Sequence, residues 1–354
     1  MLQTRLTEKL GCKYPIVQTA MGWVADPNLV AGSCNAGGFG FLAGATIPPQ
    51  EMERDILRVK ELTSAPFGVN FHMYQPNAAD IVEMVIRHGV RAVSYSRSPG
   101  PEMIRKLKDA GVICMPTVGL PKHAIKAVEL GADVVTVQGG EGGGHTGAVP
   151  TTLLIPQVVD AVGAKVPVVA AGGFKDGRGL VAALAWGADG IAMGTRFLMT
   201  AESPVPRATL QRYVDCANPA DIIVSRAMDG LPQRMIINEL LGELERAGTL
   251  RKLYIALRNG LAFRRHTGAS LFGLLRSAVA MSGADDMSAS QAIMSANAPM
   301  IIQKAMVEGE PSRGVLPSGQ VAGVIDDLPS CAALIQSIVA QAQERLAALA
   351  QRNQ

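Results

Sequence analysis

The feature that most constrains the fold of this chain is an apolar segment that recurs eight times, each time bounded by glycine or proline. The segments return at intervals of roughly 20 to 33 residues, and helix-like stretches separate them. The eight segments are Pro15–Met21, Gly38–Thr46, Phe67–Met73, Ala92–Arg97, Val112–Gly119, Asp133–Glu141, Pro167–Gly173 and Gly190–Phe197. Continuous apolar strands alternating with helices predict a parallel sheet that is covered on both faces.

Eight such units fit an α/β fold of the (β/α)8 TIM barrel type. The helix-like stretches include Asn77–His88, Glu102–Ala110, His123–Leu130 and Arg178–Trp186. An open, doubly wound sheet is the alternative, but it would carry its phosphate-binding glycines in the first strand–helix turn. Here the glycines become denser toward the last units, which favours the barrel.

The pattern changes after Phe197, where helical periodicity replaces the strand signals. Residues 1–205 are therefore predicted to form the barrel, 206–311 an inserted, mostly helical substrate or cap domain, and 312–354 a segment that returns to the barrel. The inserted block carries the basic residues Arg251, Lys252, Arg264, Arg265 and His266. These form either a solvated face or a contact surface for an anionic substrate handle such as a nucleotide.

Composition excludes several classes of protein. Hydrophobic residues make up 48% of the 354 residues, which predicts a sizeable core. A net charge of +3 and an aromatic content of 4% argue against nucleic-acid binding. No apolar run reaches the roughly 18 residues that span a membrane, and the N-terminus lacks an apolar signal core, so a cytoplasmic protein is expected. A homodimer is left open.

The five cysteines, Cys12, Cys34, Cys114, Cys216 and Cys331, are scattered and include no C-x-x-C pair. This spacing argues against a zinc site and against a disulfide framework, and no metal is predicted. Each cysteine is expected to be a small buried residue. Cys114, near the end of a predicted strand, is the one candidate for reactivity.

Two glycine turns follow the last two predicted strands. Gly172-Gly173 ends the seventh strand, and Gly194-Thr195 ends the eighth. In such barrels the loops after strands seven and eight are the usual phosphate site, because bare backbone N–H groups and a helix N-terminus face the anion there. Glutamine, asparagine and glycine at the other strand ends suit a planar heterocycle, and FMN fits both requirements best.

One histidine, His145, closes a glycine-rich loop over residues 139–147 that follows the sixth strand. Histidine can take or give a proton near neutral pH, so this position predicts a general acid or base. A flexible surface turn with an incidental histidine is the alternative. No Gly-x-Ser-x-Gly elbow accompanies it, so a serine hydrolase is not indicated.

Several ordered motifs resemble the nitronate monooxygenase family, formerly called 2-nitropropane dioxygenases, which is related to the FMN-dependent enoyl-acyl-carrier-protein reductases. The motifs are Pro15-Ile16-Val17-Gln18, Asn35-Ala36-Gly37-Gly38-Phe39-Gly40, Phe67-Gly68-Val69-Asn70, Glu141 to His145, Ala171-Gly172-Gly173-Phe174, Met193-Gly194-Thr195-Arg196-Phe197 and Ser318-Gly319-Gln320. The resemblance covers the barrel and the C-terminal part, and it implies an FMN oxidoreductase.

The resemblance also implies a role for each matching residue. His145 would be the catalytic base that takes the α-proton of a nitroalkane. The flavin ring would be lined by Gln18, Met21, Gly22, Asn70, Gln138, Gly143 and Gly144. The phosphate would be held by Gly172, Gly173, Gly194 and Thr195. From the C-terminal part, the flavin would be approached by Ser318, Gly319 and Gln320.

The chain departs from the common family pattern at Gly142, where alanine is usual, and at Thr146, where arginine or proline is frequent. Residues 21–25 and 317–327 resemble one branch of the family, whose members are similar to NAD(P)H-using flavin reductases that act on unsaturated CoA thioesters in steroid-ring breakdown. The main prediction is therefore oxidation of alkyl nitronates or nitroalkanes with O2, and the alternative is NAD(P)H-dependent reduction of an unsaturated acyl-CoA thioester. Other readings are a flavin-binding sensor without turnover and a sugar-phosphate isomerase or aldolase that uses Glu141 as its base.

Overall fold

The computed structural model describes residues 2–44, 47, 49–72, 77–96, 100–246 and 289–351. Within these residues, eight parallel strands close into a barrel in the order β1-β2-β3-β4-β5-β6-β8-β9. The barrel strands are β1 (Ile16–Gln18), β2 (Phe39–Ala43), β3 (Gly68–His72), β4 (Ala92–Ser96), β5 (Ile113–Val118), β6 (Val135–Gln138), β8 (Val168–Ala171) and β9 (Gly190–Met193). Each lies inside one predicted apolar segment, so the predicted barrel is confirmed.

Helices surround the barrel, with α1 before β1 and the others after later strands. They are α1 (Arg5–Leu10), α2 (Pro27–Asn35), α3 (Pro49–Leu62), α4 (Ala78–Arg87), α5 (Pro101–Asp109), α6 (Pro121–Glu129), α7 (Thr151–Val162), α8 (Gly177–Ala185), α9 (Thr195–Leu198) and α13 (Cys331–Gln351). Local signals fix where they begin. At α2, for example, the Asp26 carboxylate accepts the N–H of Leu29, and Pro27 takes the first helical position.

Side chains from β3, β4 and the helices outside them form the main apolar core. Phe71 and Tyr95 lie on neighbouring strands with their ring centroids 5.8 Å apart, and Val59 and Ile81 pack against the same cluster from α3 and α4. All four are buried. Full burial explains why the strands appear in the sequence as unbroken apolar runs.

The chain divides into two compact units. The first comprises Met1–Gly142, Thr146–Pro204 and Ile325–Gln354, and the second comprises Gly143–His145 and Val205–Val324. The described helices of the second unit are α10 (Arg207–Val214), α11 (Glu239–Arg246) and α12 (Ala289–Met306). Its antiparallel strands are β7 (Gly144–His145), β10 (Ile222–Ser225), β11 (Gln233–Ile236) and β12 (Leu316–Pro317).

This sheet differs from the mostly helical domain predicted over 206–311. Strands of two to four residues are too short to show an alternating pattern, and their partners come from distant parts of the chain. The basic residues at 251, 252, 264 and 265, together with His266, lie outside the described residues. Within the described part of the chain, no helix is both long and apolar enough to cross a membrane.

Candidate functional site

The carboxyl end of β1 holds a buried glutamine amide. Gln18 is fully buried, and its Nε2 donates to the backbone oxygens of Thr19 and Phe41 at 2.6 and 3.3 Å. Its Oε1 is buried as well, with no hydrogen-bond partner among the described residues. Because an unpaired buried acceptor is unfavourable, Gln18 Oε1 is suited to receive a hydrogen bond from a bound group.

Two other predicted ring contacts, Asn70 and Gln138, lie close to neighbouring residues of the barrel unit. Asn70 Nδ2, at the end of β3, donates to the backbone oxygen and the hydroxyl of Ser94 at 3.0 and 3.1 Å. Gln138, at the end of β6, lies so close to Gly142 that a Cβ there would stand 2.5 Å from its Nε2. The Asn70 amide is thus held by Ser94, and the close approach of Gln138 requires glycine at position 142.

The turns after β6 and β8 are joined through one threonine at the start of α7. Thr151 donates its backbone N–H to Glu141 Oε2 at 2.8 Å, and its hydroxyl contacts the same carboxylate and the carbonyl oxygen of Gly172. Gly172 and Gly173 have φ values of +101° and +84°, which favour glycine. Glu141, considered above as a base, instead binds the first residue of α7.

The turn after β9 lies beside the loop that follows β1. Gly194 precedes α9, and its carbonyl oxygen accepts the N–H groups of Phe197 and Leu198, both at 2.9 Å. A Cβ at Gly194 would stand 3.1 Å from the Thr19 hydroxyl and 3.4 Å from Met21 Sδ. The structure therefore brings the predicted residues Met21 and Gly194 together within the barrel unit.

Arg196 is a structural residue of this turn to which the sequence analysis gave no role. Its side chain is only 3% exposed, and it donates to Asp327 Oδ1 at 2.6 Å, to the Asp327 backbone oxygen at 3.1 Å and to Met199 O at 2.9 Å. The buried guanidinium thus holds the returning C-terminal segment against the end of β9.

In the second unit, His145 belongs to a network of three polar side chains. His145 Nε2 lies 2.9 Å from Asp229 Oδ2, and Gln233 Nε2 donates to the same oxygen at 2.6 Å. The nitrogens of His145 and Gln233 are 3.2 Å apart. The His145 side chain is 61% exposed, whereas that of Asp229 is only 9% exposed.

The Asp229 carboxyl is held in its ionised form. Burial raises its pKa, but hydrogen bonds from the His145 side chain, the Leu231 N–H and the Gln233 amide outweigh burial, so the pKa lies below its ordinary value. A negative charge therefore stands beside the imidazole ring at neutral pH. An arrangement of this kind stabilises a histidine that has accepted a proton.

The strand that bears His145 packs against the late motif of the chain. A Cβ on Gly143 would stand 2.4 Å from the N atom of Gly319 and 2.5 Å from the carbonyl carbon of Ser318, so glycine is required there. Ser318 is buried, and its hydroxyl donates to the Gly319 oxygen at 2.9 Å. Gln320 begins the 3₁₀ turn Gln320–Val324. The second unit thus groups Gly143, Gly144 and His145 with residues 318–320.

Sequence reasoning missed Asp229 and Gln233. The Asp229-Gly230 pair is a turn signal, and it does lie between β10 and β11. No local pattern, however, relates either residue to a histidine more than 80 positions earlier. The antiparallel register, which sets Gln233 opposite His145, is what brings them together.

Comparison with known proteins identifies relatives along the whole chain. The family model for nitronate monooxygenase matches residues 3–341. A Rhodococcus jostii protein, (3aS,4S,5R,7aS)-5-hydroxy-7a-methyl-1-oxo-octahydro-1H-indene-4-carboxyl-CoA dehydrogenase, is 50% identical over 98% of both chains. A probable nitronate monooxygenase of Staphylococcus saprophyticus is 33% identical over 69% of this chain and 81% of its own.

Solved structures agree with the fold described above. FabK from Thermotoga maritima superposes with a TM-score of 0.78 at 30% sequence identity. The match covers 99% of this chain and 100% of the other. The similarity therefore extends over both units of the chain.

Proposed function

Because this chain belongs to the nitronate monooxygenase family and is therefore an oxidoreductase, we propose that it binds FMN and dehydrogenates a CoA thioester. The family-level prediction of a nitronate monooxygenase-type enzyme is confirmed by the match over residues 3–341. The substrate class is our proposal. Its chemical basis is the C–H bond next to the thioester carbonyl, which is acidified as the C–H bond of a nitroalkane is.

The barrel residues fit FMN. Gly172 and Gly173 have positive φ values and no side chain, so an anion can approach the backbone of this turn, and Gly194 with Thr195 adds a second turn for the phosphate. The buried Gln18 Oε1 offers an acceptor toward the ring. When bound, FMN supplies the acceptor for the hydride that leaves the substrate, a role for which side chains are unsuited. Further ring contacts proposed on the resemblance are Met21, Gly22, Asn70, Gln138, Gly143, Gly144, Ser318, Gly319 and Gln320.

The observation that carries the proposal is the hydrogen bond between His145 and Asp229. Desaturation of a thioester breaks two C–H bonds, and the hydrogen next to the carbonyl leaves as a proton. An imidazole backed by an ionised carboxylate can take that proton and hold the resulting charge. His145 is therefore proposed as the catalytic base.

The thioester is favoured over a small nitronate by the extent of the matches. The relative named as a CoA-thioester dehydrogenase matches 98% of this chain at 50% identity, whereas the probable nitronate monooxygenase matches 69% at 33%. The alternative predicted from the sequence is reduction of an unsaturated thioester, whereas the name of this relative describes oxidation of a thioester. Nitronate oxidation is the second candidate, supported by the family model.

Anaerobic stopped-flow absorbance on the FMN-loaded protein tests the proposal. An octahydroindene-carboxyl-CoA thioester, propyl nitronate, NADH and NADPH are offered separately. We expect the thioester to bleach the flavin fastest. Bleaching by nitronate alone would support the second candidate, and bleaching by a pyridine nucleotide alone would identify a reductase.

The variant His145→Ala separates binding from proton transfer. It should retain FMN, while flavin reduction by the thioester slows by about 10² to 10⁴, the usual contribution of a general base. Exposed His123→Ala serves as the matched control and should behave as wild type. Full activity of His145→Ala would remove this histidine from the mechanism.

A further inference from the structure

We infer that Asp229 and Gln233 are positioning residues that fix the hydrogen of neutral His145 on Nε2, so that Nδ1 is the atom that takes the substrate proton. The inference rests on the proposed function for the identity of the proton donor. The tautomer itself is a property of the protein and can be measured without substrate.

The register of two backbone strands places Gln233 beside His145. Strands β7 and β11 pair antiparallel, with Gln233 directly opposite His145 and Arg234 opposite Gly144. Directly opposed residues of an antiparallel pair have neighbouring Cβ atoms. Gln233 is therefore adjacent to His145 because of the register, and its amide is buried.

Asp229 is aimed from the turn that precedes β11. Its Oδ1 accepts the N–H of Leu231 at 2.9 Å, the hydrogen bond of an Asx turn. Its Oδ2 accepts from Gln233 Nε2 at 2.6 Å. With both oxygens engaged, the carboxylate cannot turn away from the imidazole, which lies 2.9 Å from Oδ2.

The donor and acceptor roles then settle the tautomer. An ionised carboxylate only accepts hydrogen bonds, and an amide NH₂ only donates them. Gln233 Nε2 already donates to Asp229 Oδ2 at 2.6 Å, so its 3.2 Å approach to His145 Nε2 is that of two donors that share one acceptor. The shorter contact of His145 Nε2, 2.9 Å to Asp229 Oδ2, then assigns the hydrogen to Nε2. In a neutral imidazole with hydrogen on Nε2, the lone pair is on Nδ1. The side chain's 61% exposure is consistent with a ring that can be approached.

The same network also stabilises the positive charge that His145 gains when it takes a proton. Once Nδ1 takes a proton, the imidazolium lies 2.9 Å from a carboxylate that is 9% exposed. Water screens such a partly buried pair less than it screens a surface pair. Gln233 keeps the carboxylate oriented in both states, because its amide donates whether or not the ring is charged.

Nitrogen-15 NMR of the FMN-loaded protein labelled at histidine tests the inference directly. The chain has five histidines, and His145→Gln identifies the His145 signals by their absence. We expect wild-type His145 at pH 8 to show the Nε2-protonated tautomer. Asp229→Asn, which is isosteric, should give a mixture of both tautomers. A wild-type ring protonated on Nδ1, or an unchanged tautomer in Asp229→Asn, would overturn the inference.

Kinetics supply a second readout. Asp229→Asn should lower kcat by about 10- to 100-fold, a loss typical of partners that orient a functional histidine, with KM and FMN retention within about twofold. Asp221→Asn, which removes the same charge from an exposed position in the same unit, should leave kcat unchanged. An equal loss in both variants would point to a general charge effect and contradict positioning.

The two proposals fail in distinguishable ways. If wild-type protein does not oxidise the thioester but shows the Nε2-protonated ring, the proposed function fails and the tautomer assignment stands. If thioester oxidation depends on His145 but the ring is protonated on Nδ1, the inference fails alone. Gln233→Ala provides a second variant. It should keep the Nε2 tautomer through Asp229 and lower kcat only a few-fold, and loss of the tautomer there would contradict the assigned roles.

Discussion

In the barrel unit, the groups proposed to hold the FMN phosphate are backbone N–H groups of glycine turns, whereas in the second unit the proposed base depends on three side chains. The barrel turns follow strands that repeat one local pattern. The second unit instead assembles four short strands drawn from residues 144–145, 222–225, 233–236 and 316–317. The difference teaches that the proposed cofactor site is encoded in local turns, whereas the proposed base and its partners are brought together by strand pairing between distant parts of the chain.

The largest effect is expected from truncating the core that supports the barrel turns. Phe71→Ala removes a fully buried ring that packs on Tyr95, and it should lower the free energy of unfolding by about 3–5 kcal/mol. Urea denaturation followed by circular dichroism measures this. Leu57→Ala, at a side chain that is 46% exposed, should change stability by less than about 0.5 kcal/mol. A loss of less than about 1 kcal/mol in Phe71→Ala would show that this aromatic cluster contributes little to the stability of the barrel.

A smaller effect is expected in the glycine turn itself. Gly173→Val places a β-branched residue at φ +84°, although its Cβ would meet nothing nearer than Glu141 Cβ at 3.4 Å. The strain should distort the turn and raise the Kd for FMN about tenfold or more, since each 1.4 kcal/mol is a factor of ten. Fluorescence titration with FMN measures the Kd.

Gly100→Val is the matched control for this turn. Gly100 lies in the same unit, has a φ of −60°, and would place its Cβ in open space. FMN binding should be unchanged in this variant. Equal weakening in both variants would mean that the turn after β8 has no special role.

The second unit should respond to acid through Asp229. Because its pKa lies below the ordinary value of about 4, the carboxylate contributes stability above pH 4 that is lost as the pH falls through the lowered native pKa. The melting temperature of wild type should exceed that of Asp229→Asn at pH 7, and the difference should shrink below pH 4. A difference that grows toward low pH would contradict the sign.

The smallest effect is expected from thiol reagents at pH 8. Burial raises the pKa of Cys12, Cys34, Cys114 and Cys331 to about 12 and also raises that of Cys216. Each native thiol is therefore protonated at pH 8, and Ellman's reagent should label none of the five rapidly before unfolding. Rapid labelling of Cys114 would contradict this expectation and identify Cys114 as a reactive thiol.

The same raised values set the response to alkali. Thiols in the unfolded chain ionise above a pH of about 8.5, whereas the buried native thiols stay neutral up to about 12. Stability should therefore fall as the pH rises through this window. Cys34→Ala and Cys114→Ala variants should show a shallower decline in melting temperature between pH 9 and 11.

The contrast between the two units also explains which parts of the fold could be predicted from the sequence. All eight barrel strands were predicted, because each is a short apolar run bounded by glycine or proline and buried on both faces. The second unit's sheet was not predicted, because a two-residue strand such as Gly144–His145 has no periodicity to recognise. Asp229 and Gln233 were missed for the same reason, since only strand pairing brings them to His145. The roles of the predicted flavin-binding residues stay predictions.

The hydrogen bonds between Arg196 and Asp327 have a consequence for the lengths that the inserted segment can take in related chains. The chain leaves the barrel unit after Pro204 and returns at Ile325, and both ends are fastened to the barrel. Arg196 binds Asp327, and the Glu202 carboxylate accepts the N–H of Cys331. Because the closure entropy of an insert rises only slowly with its length, everything between these fastenings can be lengthened, shortened or exchanged at small expense to the barrel. Stretches of the insert that do not carry Asp229, Gln233 or residues 318–320 can therefore differ in length among related chains while the proposed site is kept.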